Sequence, residues 1–103
     1  MVVFARGARR EYHEAIARYE AERDGLGAEF AAAVRKAIGQ ITIAPARWPL
    51  VNEGSLRRFV LRRFPFTLIY AHEASEITIL AVAHGKRRPG YWVARTRRGK
   101  IGR

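Results

Sequence analysis

Along this chain the spacing of apolar residues changes period once, and that change restricts the fold more than any other feature. Up to Ile41 the spacing is helical. Tyr12, Ala15, Ile16 and Tyr19 fall at i, i+3, i+4 and i+7, and Phe30, Val34, Ala37, Ile38 and Ile41 repeat the pattern on an alanine-rich background. From Leu56 onward the runs are short, rich in Val, Ile, Phe, Thr and Tyr, and punctuated by turn-forming residues. Two helices followed by closely connected strands specify an α+β fold.

The boundaries follow from local chemistry. Val2 to Ala5 reads as a short strand and Arg9 to Arg23 as the first helix. Asp24-Gly25-Leu26-Gly27 supplies a tight turn tolerant of left-handed backbone. Pro45 ends the second helix by excluding Ala44 from helical dihedrals. Pro45 to Ser55, with Pro49, Asn52 and Gly54, reads as a loop pinned by Trp48. Leu56–Arg63, Phe66–His72 and Glu76–His84 read as an antiparallel meander divided at Pro65 and at Glu73-Ala74-Ser75. The expected architecture is an N-terminal β-strand and an antiparallel two-helix hairpin packed on a three- to four-stranded antiparallel β-sheet. Residues 1–95 form a single domain and 96–103 a basic tail. In the last strand, simple alternation places Ile77, Ile79, Ala81 and Ala83 on one face and Thr78, Leu80, Val82 and His84 on the other. One face is expected to cover the helices and the other to stay partly open for a partner.

At 103 residues, of which 49% are hydrophobic, one substantial core is attainable. The absence of cysteine excludes disulfides, thiolate metal sites and cysteine nucleophiles. Charge after Met1-Val2-Val3-Phe4-Ala5 leaves too short an apolar run for a signal peptide or membrane span, which favours a cytoplasmic protein. The net charge of +11 is divided unevenly: residues 1–55 hold 8 Lys/Arg against 7 Asp/Glu, and residues 56–103 hold 12 against 2. A +10 half repels itself unless an anion is close, so an acidic partner is expected.

Two groups of residues could meet that partner. Arg57, Arg58, Arg62 and Arg63 share one strand, where alternation sets Arg57 and Arg63 on one face and Arg58 and Arg62 on the other; charge protecting a sheet edge is the competing explanation. The segment His84-Gly85-Lys86-Arg87-Arg88-Pro89-Gly90-Tyr91-Trp92 leaves a strand end and interleaves cations with aromatics. Its Trp92 reads better as a cap on the core than as a ligand-binding group. His84 is either a proton-transfer group or a satisfied strand-end histidine. His13, and His72 beside Glu73, lack the spacing of metal ligands, and no glycine-rich phosphate loop or hydrolase motif is present, so neither metal nor cofactor is expected.

The order and spacing of several short stretches resemble the RelE/ParE toxin superfamily of type II toxin–antitoxin systems. They are Ala15-Ile16 with Tyr19, Gly25-Leu26-Gly27 before Phe30, Trp48-Pro49, Arg57-Arg58, Arg63-Phe64-Pro65-Phe66, Ile69-Tyr70, and Ile79-Leu80-Ala81-Val82-Ala83-His84-Gly85-Lys86-Arg87. The resemblance implies a growth-inhibiting toxin held in a hetero-oligomer by a cognate antitoxin, whose acidic or amphipathic segment crosses the hairpin and sheet. The RelE branch cleaves messenger RNA on the ribosome, whereas the ParE branch shares the fold and poisons DNA gyrase. A metal-independent RelE-like nuclease would use His84 or Tyr91 to move protons and Arg63 and Arg87 to hold phosphate. Leu56 to Arg63 carries arginines where the RelE branch has lysines, and arginine is a poor base because it stays charged. The Gly25-Leu26-Gly27 hairpin and the Phe64-Pro65-Phe66 turn are more similar to the ParE branch. That branch implies a target-binding surface of Arg57, Arg58, Arg62, Lys86, Arg87, Arg88 and Tyr91. A non-catalytic nucleic-acid-binding module is the third reading.

Overall fold

A computed structural model, describing residues 1–51 and 54–95, orders the chain as β1 (Val2–Phe4), α1 (Arg6–Glu22), α2 (Leu26–Ile43), β2 (Arg57–Val60), β3 (Phe66–Glu73) and β4 (Glu76–His84). Helix α1 begins three residues before the expected Arg9. Ala5 has the extended backbone of an N-cap (φ −64°, ψ 154°), and its carbonyl accepts the Arg9 N–H at 2.9 Å. At the hairpin, Gly25 takes φ 90°. The Glu20 carboxylate accepts the N–H groups of Gly25 and Gly27, each at 2.9 Å, satisfying donors that the start of α2 leaves without partners. Helix α2 ends at Ile43, two residues before Pro45, as the proline requires.

The buried faces of both helices lie on one side of the sheet. Phe30, Val34 and Ile41 from α2 and Ala8 and Ala15 from α1 join Leu68, Tyr70, Ile77, Ile79 and Val82 in the main core. Tyr19, Phe30, Phe64 and Phe66 interlock at one end, with edge-on pairs at 5.0 Å (Tyr19–Phe64) and 5.2 Å (Phe30–Phe64). At the other end the Tyr70 hydroxyl donates to the Pro45 carbonyl at 2.6 Å, tying the end of α2 to β3; burial raises the Tyr70 pKa.

The sheet order is β1-β4-β3-β2, and the sheet is mixed where a purely antiparallel one was expected, because β1 runs parallel to β4. Three further departures bear on function. Strand β2 stops at Val60, so Arg62 and Arg63 lie in the turn toward β3 and the expected alternation of four arginines along Leu56–Arg63 does not extend to them. In β4 the register slips between Ile69↔Ala81 and Tyr70↔Ile79, leaving Leu80 as an extra residue. A bulge of this kind reverses side-chain parity downstream. Val82 therefore joins Ile77 and Ile79 in the main core, while Leu80, Ala81 and Ala83 turn to the opposite face. The expected grouping of Ala81 and Ala83 with Ile77 and Ile79 is corrected accordingly.

The face expected to stay open is instead covered by the chain itself. Trp92 is buried against Ile69, Ala71, Leu80, Ala81 and Ala83, with Val51, Leu56 and Tyr91 packed alongside, so Trp92 does cap a core as its position predicts. Trp48 packs edge-on against Phe59 at 4.6 Å, which pins the loop. Among the described residues no helix is long and apolar enough to cross a membrane. The tail 96–103, and Asn52 in the loop, lie outside the described residues.

Candidate target-binding surface around Glu11

Among the described residues Glu11 is the one charged side chain that is buried, at 8% exposure. It sits on α1 between Ala8 and Ala15, on the stripe facing the sheet. Oε1 accepts the Val82 backbone N–H at 2.9 Å and one Arg95 N–H at 3.1 Å; Oε2 accepts the Tyr91 hydroxyl at 2.7 Å and the other Arg95 nitrogen at 2.9 Å. Arg87 Nη1 lies 3.6 Å from Oε2, an ion pair longer than a hydrogen bond. A buried carboxylate is tolerable only when its charge and lone pairs are met, and here they are.

These contacts shape the whole segment after β4. Tyr91 is held by its hydroxyl, and its ring carries the Arg87 guanidinium at 3.9 Å and that of Arg95 at 5.0 Å. Burial, then the hydrogen bond to Glu11, pushes the Tyr91 pKa well above that of an ordinary phenol, so this hydroxyl stays protonated and points inward. The hydrogen bond to Glu11 likewise raises Arg95.

Of the histidines, His84 is half-buried, edge-on to Phe66 at 5.0 Å, and its Nδ1 accepts the Lys86 N–H at 3.0 Å. This arrangement makes Nε2 the protonated nitrogen of the neutral ring. His84 and Arg87 line a cleft of about 100 Å³ with Glu11, Glu14 and Arg18. Arg63 is elsewhere. It hydrogen-bonds Glu29 on α2 and lines, with Lys36, Arg62, Trp48 and Phe59, a separate groove of about 470 Å³. That hydrogen bond, and two from Arg23, hold the Glu29 carboxyl below the usual range. The four residues of the nuclease reading thus divide between two sites: His84, Arg87 and Tyr91 in one, Arg63 in the other.

The remaining sequence candidates divide by their partners. Arg57 donates to the Trp48 carbonyl at 2.6 Å and Arg58 to the Leu50 carbonyl at 3.1 Å, so each braces the loop, although Arg58 stays exposed. Arg62, Lys86 and Arg88 are exposed, and their side chains bond to no other described residue. Arg58 and Arg87 also border a third hollow of about 280 Å³ floored by Ile69, Ala83 and Trp92. Among the described residues no cluster of three or more His, Asp or Glu is placed to hold a metal.

Sequence reasoning missed Glu11 and Arg95, which organise the site. One signal was available: Ala8, Glu11 and Ala15 are spaced three and four apart, so the acid falls on the apolar stripe of α1.

Comparison with known proteins agrees with this fold. The chromosomal ParDE toxin–antitoxin system from P. aeruginosa contains a chain that superposes with a TM-score of 0.59 at 18% identity, covering 81% of this chain and 92% of that one. Among curated proteins none matches. The model of the family described as ParE toxin of type II toxin-antitoxin system, parDE, matches residues 2–89. That match spans most of the chain, and the protein therefore belongs to the ParE toxin family of type II toxin–antitoxin systems.

Proposed function

We propose that the protein acts in the cytoplasm as a growth-inhibiting toxin that poisons DNA gyrase through a non-catalytic surface, and that a cognate antitoxin neutralises it in a hetero-oligomer. The surface comprises Arg57, Arg58, Arg62, Lys86, Arg87, Arg88 and Tyr91. The observation that carries this reading is the state of Tyr91. Its hydroxyl is committed to Glu11 and its pKa is raised, which favours a scaffold for the neighbouring cations over a proton donor or base. The separation of Arg63 from His84 and Arg87 supports the same view, since stabilising a pentavalent phosphorane requires its cations around one phosphate. The family's own description supports a paired antitoxin. Twelve Lys/Arg against two Asp/Glu in residues 56–103 favour an acidic segment on that partner.

The test is induction without antitoxin, with gyrase-linked DNA breaks and ribosomal messenger RNA cleavage scored side by side. Growth arrest with DNA breaks is expected, and loss of both in Arg87→Ala/Tyr91→Ala that still folds. Cleaved messenger RNA without breaks would replace the reading with the nuclease alternative. Growth unaffected by confirmed full-length protein, with nucleic-acid binding that weakens by about 0.9 log units per phosphate contact per log unit of salt, would favour the plain binding module.

A further inference from the structure

The contacts of Glu11 point to a role that goes past stability. Strand β1 accompanies β4 only from Ile77 to Ile79, because the chain turns into α1 after Ala5. Beyond that point β4 has no strand neighbour on this side among the described residues, and side chains take its place: Arg95 donates to the Leu80 carbonyl at 2.8 Å and Glu11 accepts the Val82 N–H at 2.9 Å. The Glu11–Arg95 pair thus satisfies the open edge of β4.

A carboxylate offers about four lone-pair positions, and Val82, Tyr91 and the two Arg95 nitrogens fill them. Arg87 is therefore held differently, by charge at 3.6 Å and by the face of Tyr91 at 3.9 Å. Its side chain is 52% exposed, against 20% for Arg95, and its guanidinium makes no hydrogen bond to a described residue. Arg95 is consumed in the fold, while Arg87 is placed but keeps its donor fork available to an anion.

We propose that Glu11 is a positioning residue for the target-binding surface: it fixes Arg87 directly, and through Tyr91 it fixes the segment 84–92 that carries Lys86 and Arg88. This rests on reading that segment as the surface that engages the target. Glu11 itself need not touch the target, since it is buried beneath the cations it orients.

The experiment is a double-mutant cycle of Glu11→Gln and Arg87→Ala, read as growth arrest per amount of folded, soluble protein. Folded protein is quantified from thermal unfolding of each purified variant, which removes the contribution of simple destabilisation. Glu11→Gln retains size and an acceptor but loses the charge. About ten-fold more protein is expected for equal arrest, with the double variant losing less than the product of the two single losses. Potency of Glu11→Gln equal to wild type, or losses that multiply in the double variant, would overturn the proposal. If Glu11→Gln does not fold, Glu11→Asp, which withdraws the carboxylate by one methylene, enters the same cycle with the same expected and contrary results. Gyrase-linked breaks are scored in parallel. Their absence under wild-type arrest removes gyrase as the target, while the cycle, read on arrest alone, still decides the role of Glu11.

Discussion

Replacing Gly7 with alanine tests the buried ion cluster through a single methyl group. A Cβ at position 7 would lie 2.6 Å from Arg95 Cζ, 2.7 Å from Nε and 2.9 Å from Nη2, closer than carbon tolerates, so the guanidinium would have to withdraw. Ordinarily a flexible arginine gives way at little cost. Here it donates twice to Glu11 and once to the Leu80 carbonyl, and withdrawal weakens all three bonds. Hydrogen bonds to a charged group contribute about 1.5–3 kcal/mol each, whereas glycine to alanine gains at most about 1 kcal/mol in helix propensity, and less in a first turn. Glu11 keeps Val82, Tyr91 and Arg87, so only part of the loss is realised. The net expectation is a destabilisation of about 1–3 kcal/mol, which lowers the melting temperature of a domain this size by roughly 5–15 °C. Denaturant and thermal unfolding of Gly7→Ala measure it directly. The decisive comparison is the same substitution in an Arg95→Ala background, where the clash is gone and the sign should reverse to a gain of up to about 1 kcal/mol. Gly7→Ala at wild-type stability, or the same sign in both backgrounds, would refute the reasoning.

Three further outcomes follow from the geometry. Gly27→Ala would set a methyl 2.7 Å from the Ile16 carbonyl on the facing helix; backbone cannot retreat as a side chain can, so a loss of about 1–3 kcal/mol is expected in chemical denaturation. Tyr91 should ionise after Tyr19 and Tyr70, whose pKa values burial also raises, in an ultraviolet pH titration. Its raised pKa contributes stability below the ordinary phenol value of 10.0 that is lost as pH rises above it, so Tyr91→Phe should flatten the alkaline fall in stability; an unchanged profile would count against a Tyr91 hydroxyl that is buried and bonded to Glu11. On the acid side the depressed Glu29 contributes above its ordinary value of 4.5 and loses that contribution as pH falls through its folded pKa. Arg63→Ala should move the Glu29 midpoint, followed by carboxyl NMR, up toward 4.5, and no movement would mean that the pair is not formed in solution.

Much of this fold was legible in the sequence because its apolar periods are clean. The stripes from Tyr12 to Tyr19 and from Phe30 to Ile41 gave both helices, Gly25 the turn and Pro45 the stop. Trp92 is legible as a core cap because a large aromatic after a turn seldom remains in water, and it is buried. The bulge at Leu80 was not legible, since Ile-Leu-Ala-Val-Ala presents apolar residues to either face and alternation then carries no information. The direction of β1 was equally hidden, because a three-residue strand has no period that distinguishes parallel from antiparallel pairing. At the site, the arginines were visible as charge but not as geometry. Arg57 and Arg58 resemble Arg62 and Arg88 in sequence, and only the fold shows that the first two brace loop carbonyls. Glu11 is hard to single out because Arg9, Arg10 and Glu14 surround it with further charge in the sequence.

The placement of β4 also has a temporal meaning. Among the described residues it is the last strand to be made, yet it stands between β1 and β3, and it reaches back from Val82 to Glu11 across 71 positions. A chain emerging from the ribosome in order would present β1, both helices and the β2–β3 hairpin before the element that joins them exists. The buried acid on α1 would wait without its basic partners until Arg87 and Arg95 emerged. Long-range closure of this kind is slow compared with helix formation and comes late. The cationic segment would thus acquire its final form only once Arg95 had emerged.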